Sequence, residues 1–383
     1  MAKKGEMLYA WTTDAGLKQK AECGGAVSTL LKYALESKAV DAVLAVKKGV
    51  DLYDAVPTLI SDPKAVDQTA GSLHCGTVLM SKLLTSYAPS MAGKKVGVVV
   101  KGCDMMGFIE MAKRKAVNLD NLLLIGVNCG GSVSPVPARK MIKEKFGVEP
   151  NDVVKEEIDR GKFIIKTPDG NHKEISMDEL EDAGYGRRSN CRRCKLKIPR
   201  QADLACGNWG VTKDKAGKVT FVEVCSDKGA DLLTKAVAAK KIAVEPADPK
   251  GIEIRAKTEA SMFRLADKWR MRDFSELSPH LWRTIEKETA RCTKCYACID
   301  KCPVCFPVAD KLKGTTMVRP GTLPVDQMFH LRRFAHISDS CVNCGQCEEC
   351  CPMEIPLALF SHAIRTEEDS FFEPKLGKAS YTN

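Results

Sequence analysis

The sequence predicts an α/β domain with a mixed sheet, followed by a mainly helical, two-cluster ferredoxin-like domain. Strand and helix patterns alternate from residue 26 to residue 245, which indicates a sheet with some parallel pairing. Two copies of one cysteine run begin at positions 292 and 341, beyond a break in composition at 246–251. We therefore expect an N-terminal α/β part at 1–90, the rest of that domain at 91–248, and the helical domain at 249–383.

The elements of the α/β part follow from periodicity and from turn residues. Apolar runs bounded by glycine or by charged residues predict strands, and three- and four-residue spacing of apolar positions predicts helices. A Pro-Asp-Gly turn predicts a hairpin over 162–177. Ser176 and Glu179 form a candidate capping box for the helix that follows this hairpin, and Gly147 ends the helix that precedes it. The expected helices are 26–39, 77–88, 104–116, 138–147 and 230–241, and the expected strands are 40–46, 96–100, 122–128 and 218–224.

The segment beyond the linker reads as helical and charged. Ser278 and Pro279 predict a helix start, and a further helix is expected at 324–337, between the cysteine runs. The tail after Ser370 has no periodicity and is expected to be an extended arm.

Both cysteine runs have the spacing C-x-x-C-x-x-C-x-x-x-C-P, which is typical of 4Fe–4S clusters. Three thiolates of a run bind one cluster, and the fourth cysteine binds the cluster of the other run. Zinc is the alternative for a single run, but zinc sites favour paired C-x-x-C knuckles, and two runs with a trailing Cys-Pro argue against it. The predicted ligand sets are Cys292, Cys295, Cys298 and Cys351 for one cluster, and Cys341, Cys344, Cys347 and Cys302 for the other.

Composition limits the class of protein. Eighteen cysteines clustered in C-x-x-C units indicate metal binding in a reducing, oxygen-poor cytoplasm, and neither a secretory signal nor a membrane span is evident. The formal charge of +10 is offset by clusters that carry about −2 each. Aromatic residues make up 6% of the chain and none is interleaved with basic residues, so we expect no nucleic-acid binding.

Two glycine-containing turns are candidate phosphate sites. Gly24 and Gly25 precede a helix whose first turn holds Ser28 and Thr29, and free N–H groups at a helix start favour phosphate. Gly71 and Ser72 repeat this arrangement before the next helix. An ordinary turn is the alternative explanation for each.

A third cluster is possible in the α/β domain. Cys103 and Cys129 each follow an apolar strand, and parallel neighbouring strands would bring their thiols together at the carboxyl edge of the sheet. Cys191 and Cys194 could complete a set of four. Buried free thiols, a redox pair or a zinc C-x-x-C remain alternatives. The other cysteines are expected to pack or to lie next to ligands.

A basic run occupies positions 187–200. Its residues either form a solvated face or a counter-charge to a cluster, or they provide a landing site for a polyanionic ligand.

Residues 1–250 resemble the beta-subunit family of coenzyme F(420)-reducing hydrogenases and dehydrogenases. The matching pieces are 23–25 with 33–46, 101–104, 128–131, 191–194 and 202–210. The resemblance implies FAD binding, coenzyme F(420) as substrate and a 4Fe–4S cluster held by Cys103, Cys129, Cys191 and Cys194. From the same pieces we expect Lys101, Asn128, Gly130, Asn208 and Trp209 to bind cofactor. If the deazaflavin is the substrate, the basic run at 187–200 is expected to bind its acidic tail through Arg187 and Arg188.

With the two-cluster tail included, the resemblance is strongest to the formate dehydrogenase members of methanogenic archaea. It implies electrons from a large, molybdopterin-type formate-oxidising partner, passing through the clusters to FAD and then as hydride to the deazaflavin. No histidine lies in a recognisable catalytic motif, so no acid or base is assigned. The alternatives are a deazaflavin-dependent subunit that feeds a heterodisulfide reductase complex or another acceptor, and a flavin-free polyferredoxin-like carrier.

Overall fold

A computed structural model describes residues 1–87, 91, 93–313 and 327–372. Its packing divides the chain into two compact units, each described here by itself. The first comprises Met1–Met105, Asn118–Arg188 and Leu196–Phe263, and the second comprises Met106–Val117, Ser189–Lys195 and the chain from Arg264 onward. The sequence boundary at 248/249 coincides with the start of a helix that runs on past Phe263, so the predicted domain limits remain predictions.

Eleven strands form two sheets in the described part of the first unit. They are β1 Met7–Thr12, β2 Ala42–Lys48, β3 Ala55–Ile60, β4 Val96–Val100, β5 Leu122–Val127, β6 Lys155–Asp159, β7 Lys162–Lys166, β8 His172–Ser176, β9 Leu204–Gly207, β10 Thr220–Val224 and β11 Ile242–Pro246.

The larger sheet has the order β11-β1-β10-β9-β5-β4-β2-β3. The pairs β2–β4, β4–β5 and β5–β9 are parallel, and the others are antiparallel, which confirms the mixed α/β sheet. Val98 and Ile125 are fully buried at its centre, as expected of strands covered on both faces. Since β1, β9, β5, β4 and β2 point the same way, their carboxyl ends share one edge.

The helices of the described residues complete both units. They are α1 Ala15–Lys20, α2 Ala26–Glu36, α3 Met80–Tyr87, α4 Gly102–Lys113, α5 Pro135–Met141, α6 Met177–Asp182, α7 Ser189–Arg192, α8 Asp227–Ala238, α9 Pro249–Ser275, α10 Leu281–Thr289, α11 Ala297–Asp300, α12 Ala309–Lys313, α13 Gln327–Ile337, α14 Gln346–Glu349 and α15 Leu357–Phe372.

Most predicted elements of the first unit are present, with three differences. The predicted hairpin is β7–β8, and β6 adds a third strand to it. Ser176 begins α6 but makes no capping hydrogen bond with its side chain. The predicted linker is shorter than expected, because β11 reaches Pro246 and Asp248 accepts a hydrogen bond from Gly251 N at the start of α9.

The second unit is helical around an apolar core. Phe329 and Phe334 of α13 pack with Phe360 of α15 and with cysteines of both runs. The helix predicted at 324–337 is confirmed from residue 327, and positions 324–326 lie outside the described residues. The tail predicted to be extended after Ser370 remains helical to Phe372, and positions 373–383 lie outside the described residues.

Among the described residues, the structure contains no helix that combines the length and the apolarity required to traverse a bilayer.

Candidate iron–sulfur and cofactor sites

The first cysteine run forms one wall of a small cavity in the second unit. Lys294 and Tyr296 adopt left-handed backbone conformations, with φ of 55° and 61°, and this turns the loop around the cavity. Lys294 N also donates a hydrogen bond to the Cys292 sulfur. Four thiols line the cavity, and they are those of Cys292, Cys295, Cys298 and Cys351.

The second run repeats this geometry around another small cavity. Asn343 and Gly345 stand at the positions of Lys294 and Tyr296, and they have φ of 50° and 72°. The short helix α14 likewise corresponds to α11. The duplication therefore extends from the cysteine spacing to the backbone. The thiols that line this cavity are those of Cys302, Cys341, Cys344 and Cys347.

Each cavity thus combines three thiols of one run with the fourth thiol of the other. In the described ranges, no three His, Cys, Asp or Glu side chains converge as the ligands of a single metal ion do. The thiols surround a space instead, which suits a cluster whose irons each bind one thiolate. The cysteines therefore fit two 4Fe–4S clusters.

Burial sets the protonation of these thiols. It raises the pKa of Cys298 and of Cys341 to about 12. Cys302 differs, because a hydrogen bond from Cys305, opposed by burial and aided by the charge of Arg333, lowers its pKa below the usual value. Iron binding must displace most of these protons, so cluster assembly is coupled to proton release.

Cys103 and Cys129 follow the neighbouring parallel strands β4 and β5 in the first unit. Lys101 Nζ lies 2.8 Å from an Asp104 carboxylate oxygen and donates a hydrogen bond to Val78 O. Burial lowers the pKa of Lys101, but Asp104 and the two thiols raise it more, so the pKa lies above its usual value. The side chain is therefore a fixed cation near both sulfurs.

Cys191 and Cys194 belong to the second unit, at and just after α7. The preceding residue, Asn190, is bound to the loop of the second cysteine run. Its Nδ2 donates to Asn343 O at 3.1 Å, and Asn343 Nδ2 donates to Asn190 O at 3.0 Å. Ser189 Oγ also donates to the Glu348 carboxylate. The grouping of these two cysteines with Cys103 and Cys129 remains a prediction.

The Gly24-Gly25 turn lies at the carboxyl end of β1. Thr12 N donates to Gly24 O at 2.7 Å, and a Cβ on Gly24 would lie 2.7 Å from Thr220 N, so only glycine fits there. Gly25 is the N-cap of α2 with a φ of 72° and offers no side-chain cap. Ser28 and Thr29 are buried, and Thr29 Oγ1 donates to Gly25 O. This arrangement leaves the start of α2 suited to an anion.

Four further predicted cofactor residues meet at the ends of β5 and β9. Asn128 Nδ2 donates to Asn208 Oδ1 at 3.3 Å, and Trp209 N donates to Asn128 Oδ1 at 3.4 Å. A Cβ on Gly130 would lie 3.9 Å from the Trp209 ring. These residues share the sheet edge with Gly24, Gly25 and Lys101, where ligands of open α/β sheets bind.

Gly71 and Ser72 do not open a helix. Both are exposed, and irregular chain separates them from Met80, where α3 begins. The argument from helix N–H groups therefore does not apply to them, and that interpretation is wrong.

The basic run at 187–200 is mostly neutralised within the protein. Arg187 is buried, with Nε 2.6 Å from a Glu181 carboxylate oxygen, and it donates to Gly130 O at 3.3 Å. The prediction that Arg187 is an exposed group for the deazaflavin tail is therefore corrected. Its side chain instead supports the Gly130 loop. Arg188 is half-buried, and its backbone N–H donates a hydrogen bond to Ser132 O. Other acidic partners within each unit are Asp273 for Arg193, Asp267 for Lys195, and Glu223 and Glu259 for Arg200.

Sequence reasoning missed two buried groups. Arg333 lines the cavity of the second run and His330 lines that of the first. Their signal was their spacing from Phe334 and Ile337, which places them on the apolar face of α13. Sequence reasoning also missed a contact in the first unit. His74 Nδ1 lies 2.9 Å from the carboxylate of Glu156, which is buried and distant in the sequence.

An α/β unit joined in one chain to a helical unit with two four-thiol cavities defines an iron–sulfur protein. Models for the N- and C-terminal parts of the coenzyme F(420) hydrogenase/dehydrogenase beta subunit match residues 7–85 and 93–250. A 4Fe–4S dicluster domain model matches residues 288–355. The chain belongs to the coenzyme F(420) hydrogenase/dehydrogenase beta-subunit family.

Similar proteins agree on this family. The chain is 47% identical over 356 residues to the F(420)-dependent formate dehydrogenase subunit beta of Methanocaldococcus jannaschii, covering 92% of this chain and 91% of the relative. It is 48% identical over 375 residues to F(420)-dependent formate dehydrogenase 1 subunit beta of Methanococcus maripaludis, covering 96% and 95%. A chain of the F(420)-reducing NiFe hydrogenase complex from Methanosarcina barkeri shares the fold, with a TM-score of 0.61, 21% identity, and coverage of 71% and 93%.

Proposed function

We propose that this chain is the electron-transferring, coenzyme F(420)-reducing beta subunit of a formate dehydrogenase. It accepts electrons from a large formate-oxidising partner and delivers them to the deazaflavin as hydride. The observation that carries the proposal is the near-full-length similarity to two formate dehydrogenase beta subunits, which includes the two-cluster tail.

The chain's residues support this division of labour. The thiols around the two cavities hold the tail clusters, and Cys103, Cys129, Cys191 and Cys194 hold the third. The Gly24-Gly25 turn and the start of α2 bind the FAD pyrophosphate. When bound, clusters carry single electrons and FAD exchanges one or two, so together they match a partner's electrons to a hydride acceptor. Asn128, Gly130, Asn208 and Trp209 line the same sheet edge.

The placement of Asn190 supports a route between the tail and the α7 cysteines. Its reciprocal hydrogen bonds with Asn343 hold the loop of Cys344 beside the segment that carries Cys191. Cys295 is exposed, whereas Cys298 and Cys302 are buried. The exposed thiol supports the first-run cluster as the one that receives electrons from the partner.

The decisive experiment compares two activities of the full chain, purified anaerobically with its partner. Cys344→Ser should abolish formate-driven reduction of the deazaflavin and largely spare oxidation of the reduced deazaflavin by a one-electron dye. Cys350→Ser is the matched control, since Cys350 lies beside Cys351 but does not line either cavity. Full formate activity in Cys344→Ser would remove the tail from the electron route.

Two rival functions give different results. A subunit that feeds a heterodisulfide reductase would co-purify with that complex and would show no formate activity with a formate-oxidising partner. A flavin-free carrier would release no FAD on denaturation. Equal activity with NAD would exclude the deazaflavin as the natural acceptor.

A further inference from the structure

Helix α13 contacts both cysteine cavities through different side chains. His330 lines the cavity of Cys292, Cys295, Cys298 and Cys351. Arg333, one turn further on, lines the cavity of Cys302, Cys341, Cys344 and Cys347. The ring of Phe334 packs beside His330 on the same buried face. The helix therefore brings two polar side chains to the two candidate cluster sites.

Arg333 is completely buried, and no described residue accepts a hydrogen bond from its Nε, Nη1 or Nη2. Three other buried arginines have acidic partners, namely Arg187 with Glu181, Arg193 with Asp273 and Arg255 with Glu223. Burying a charge without a partner costs several kcal/mol. The Arg333 guanidinium therefore requires an anion that the polypeptide alone does not supply in the described residues.

Arg333 lines the cavity of the second run, and cysteines of both runs act electrostatically on its guanidinium. Burial alone would lower the pKa of Arg333, but Cys298, Cys347, Cys305 and Cys302 raise it well above its usual value. Cys298 belongs to the first cavity, and Cys302 and Cys347 belong to the second. Burial raises the pKa of the Cys347 thiol, while the charge of Arg333 opposes that shift.

His330 adds no compensating or competing charge. Burial, followed by the positive charge of Arg333, lowers the pKa of His330 to about 3, so the imidazole is neutral at physiological pH. Neither of its ring nitrogens has a partner among the described residues. Arg365 is also buried, but its Nη1 donates to Asp339 O. Among the described residues, Arg333 is thus a buried cation at the second cavity, and Cys298 of the first cavity also acts on its charge.

We propose that Arg333 is a shared counter-charge for the two tail clusters and that it raises the reduction potential of both. The proposal rests on the proposed function, because it requires a 4Fe–4S cluster in each cavity. A four-thiolate cluster carries a net charge of about −2 and gains a further negative charge on reduction. A fixed cation in a low-dielectric interior stabilises the more negative, reduced form of a cluster, and it therefore raises the reduction potential of each cluster.

The test uses the full chain, purified anaerobically, and compares Arg333→Met, Arg333→Lys and Arg332→Met. Arg332 is the neighbouring residue of α13 and is exposed, so its replacement removes the same charge from solvent. Iron content and the midpoint potentials of both tail clusters, followed by electron paramagnetic resonance during redox titration, are the readouts. Arg333→Met should keep its iron and shift both potentials downward, while the other two variants should keep the parental potentials.

Several outcomes would overturn the proposal. They are unshifted potentials in an iron-loaded Arg333→Met, an equal shift in Arg332→Met, and lowered potentials in the charge-retaining Arg333→Lys. If Arg333→Met fails to assemble clusters, Arg333→Lys decides. Assembly with parental potentials supports the counter-charge, and loss of iron from the lysine variant also refutes it. Absence of tail iron in the parent chain would refute the proposed function itself, so the two failures are distinguishable.

Discussion

Asn190 and Asn343 exchange hydrogen bonds, each side-chain amide donating to the other's backbone carbonyl at 3.1 and 3.0 Å. Both residues are buried, and 153 positions separate them in the sequence. Asn343 adopts a φ of 50° between two cysteines of the second run, and Asn190 directly precedes Cys191. The pair therefore fixes two cysteine-bearing loops of the second unit against each other.

Asn190→Ala should weaken this connection. It removes one donor and leaves the Asn343 carbonyl without that bond, a loss of about 1–3 kcal/mol in the free energy of unfolding. We expect a lower thermal midpoint and a slower formate-to-deazaflavin rate, with dye-linked oxidation of the deazaflavin and tail iron content unchanged. Asn171→Ala, on the exposed β7–β8 turn, is the control. Equal rates in Asn190→Ala and parent would show that the pair does not position the electron route.

The sequence predicted the features that depend on local spacing. The spacing of the four cysteines in each run, and the duplication of the run, predicted which thiols would share a cavity. This was possible because that spacing is typical of a cluster-binding loop. Apolar runs likewise predicted β4 and β5, which are buried on both faces.

Features that depend on contacts between distant residues were not predictable. Arg187 looked exposed within a basic run, yet Glu181 and Gly130 bury and neutralise it. Arg333 looked like one of many surface cations, and only the packing of α13 places it among thiols. A single sequence does not show which charges meet across the fold.

FAD binding at the Gly24-Gly25 turn can be separated from backbone strain at Gly25. Gly25 has a φ of 72°, and a Cβ added to it would lie 3.0 Å from Thr12 Cγ2. Any other residue at this position is therefore strained, at a cost of about 1–2 kcal/mol for the left-handed backbone. Gly25→Ala should therefore destabilise the chain but keep FAD. Gly25→Asp should also lose FAD, because it adds a negative charge where the pyrophosphate binds. FAD released on denaturation, measured per chain, checks this. Equal FAD content in the two variants would move the site elsewhere.

Arg188 is the remaining candidate for the acidic tail of the deazaflavin. Its backbone is bonded to Ser132, next to the Gly130 loop, and Arg188→Glu should raise the Michaelis constant for the coenzyme severalfold at low salt and flatten its salt dependence. Flavin and iron content should not change. Arg160→Glu, at an exposed turn of the first unit, is the matched control. An equal effect in both variants would show that Arg188 acts only through the overall charge of the protein and not through contact with the coenzyme.

His74 should make the stability of the chain depend on pH. Burial lowers its pKa, but the hydrogen bond and charge of Glu156 raise it more, so the folded-state pKa lies above the ordinary value. Its contribution is therefore full below the unfolded pKa of about 6.5 and is lost as the pH rises through the folded pKa. His74→Gln should lower the thermal midpoint more at pH 6 than at pH 9. His172→Gln, an exposed control, should show no such difference.

The pairing of runs with clusters can be tested one thiol at a time. With three clusters the parent chain should hold about twelve irons. Cys298→Ser and Cys351→Ser, which change thiols of the same cavity but of different runs, should each lose the same cluster and keep about eight irons. Cys302→Ser should instead remove the signal of the other tail cluster, because its thiol lines the second cavity. Iron analysis and electron paramagnetic resonance spectra identify the missing cluster. If Cys298→Ser and Cys302→Ser removed the same signal, each run would supply all four ligands of its own cluster, and the exchange of the fourth cysteine would be wrong.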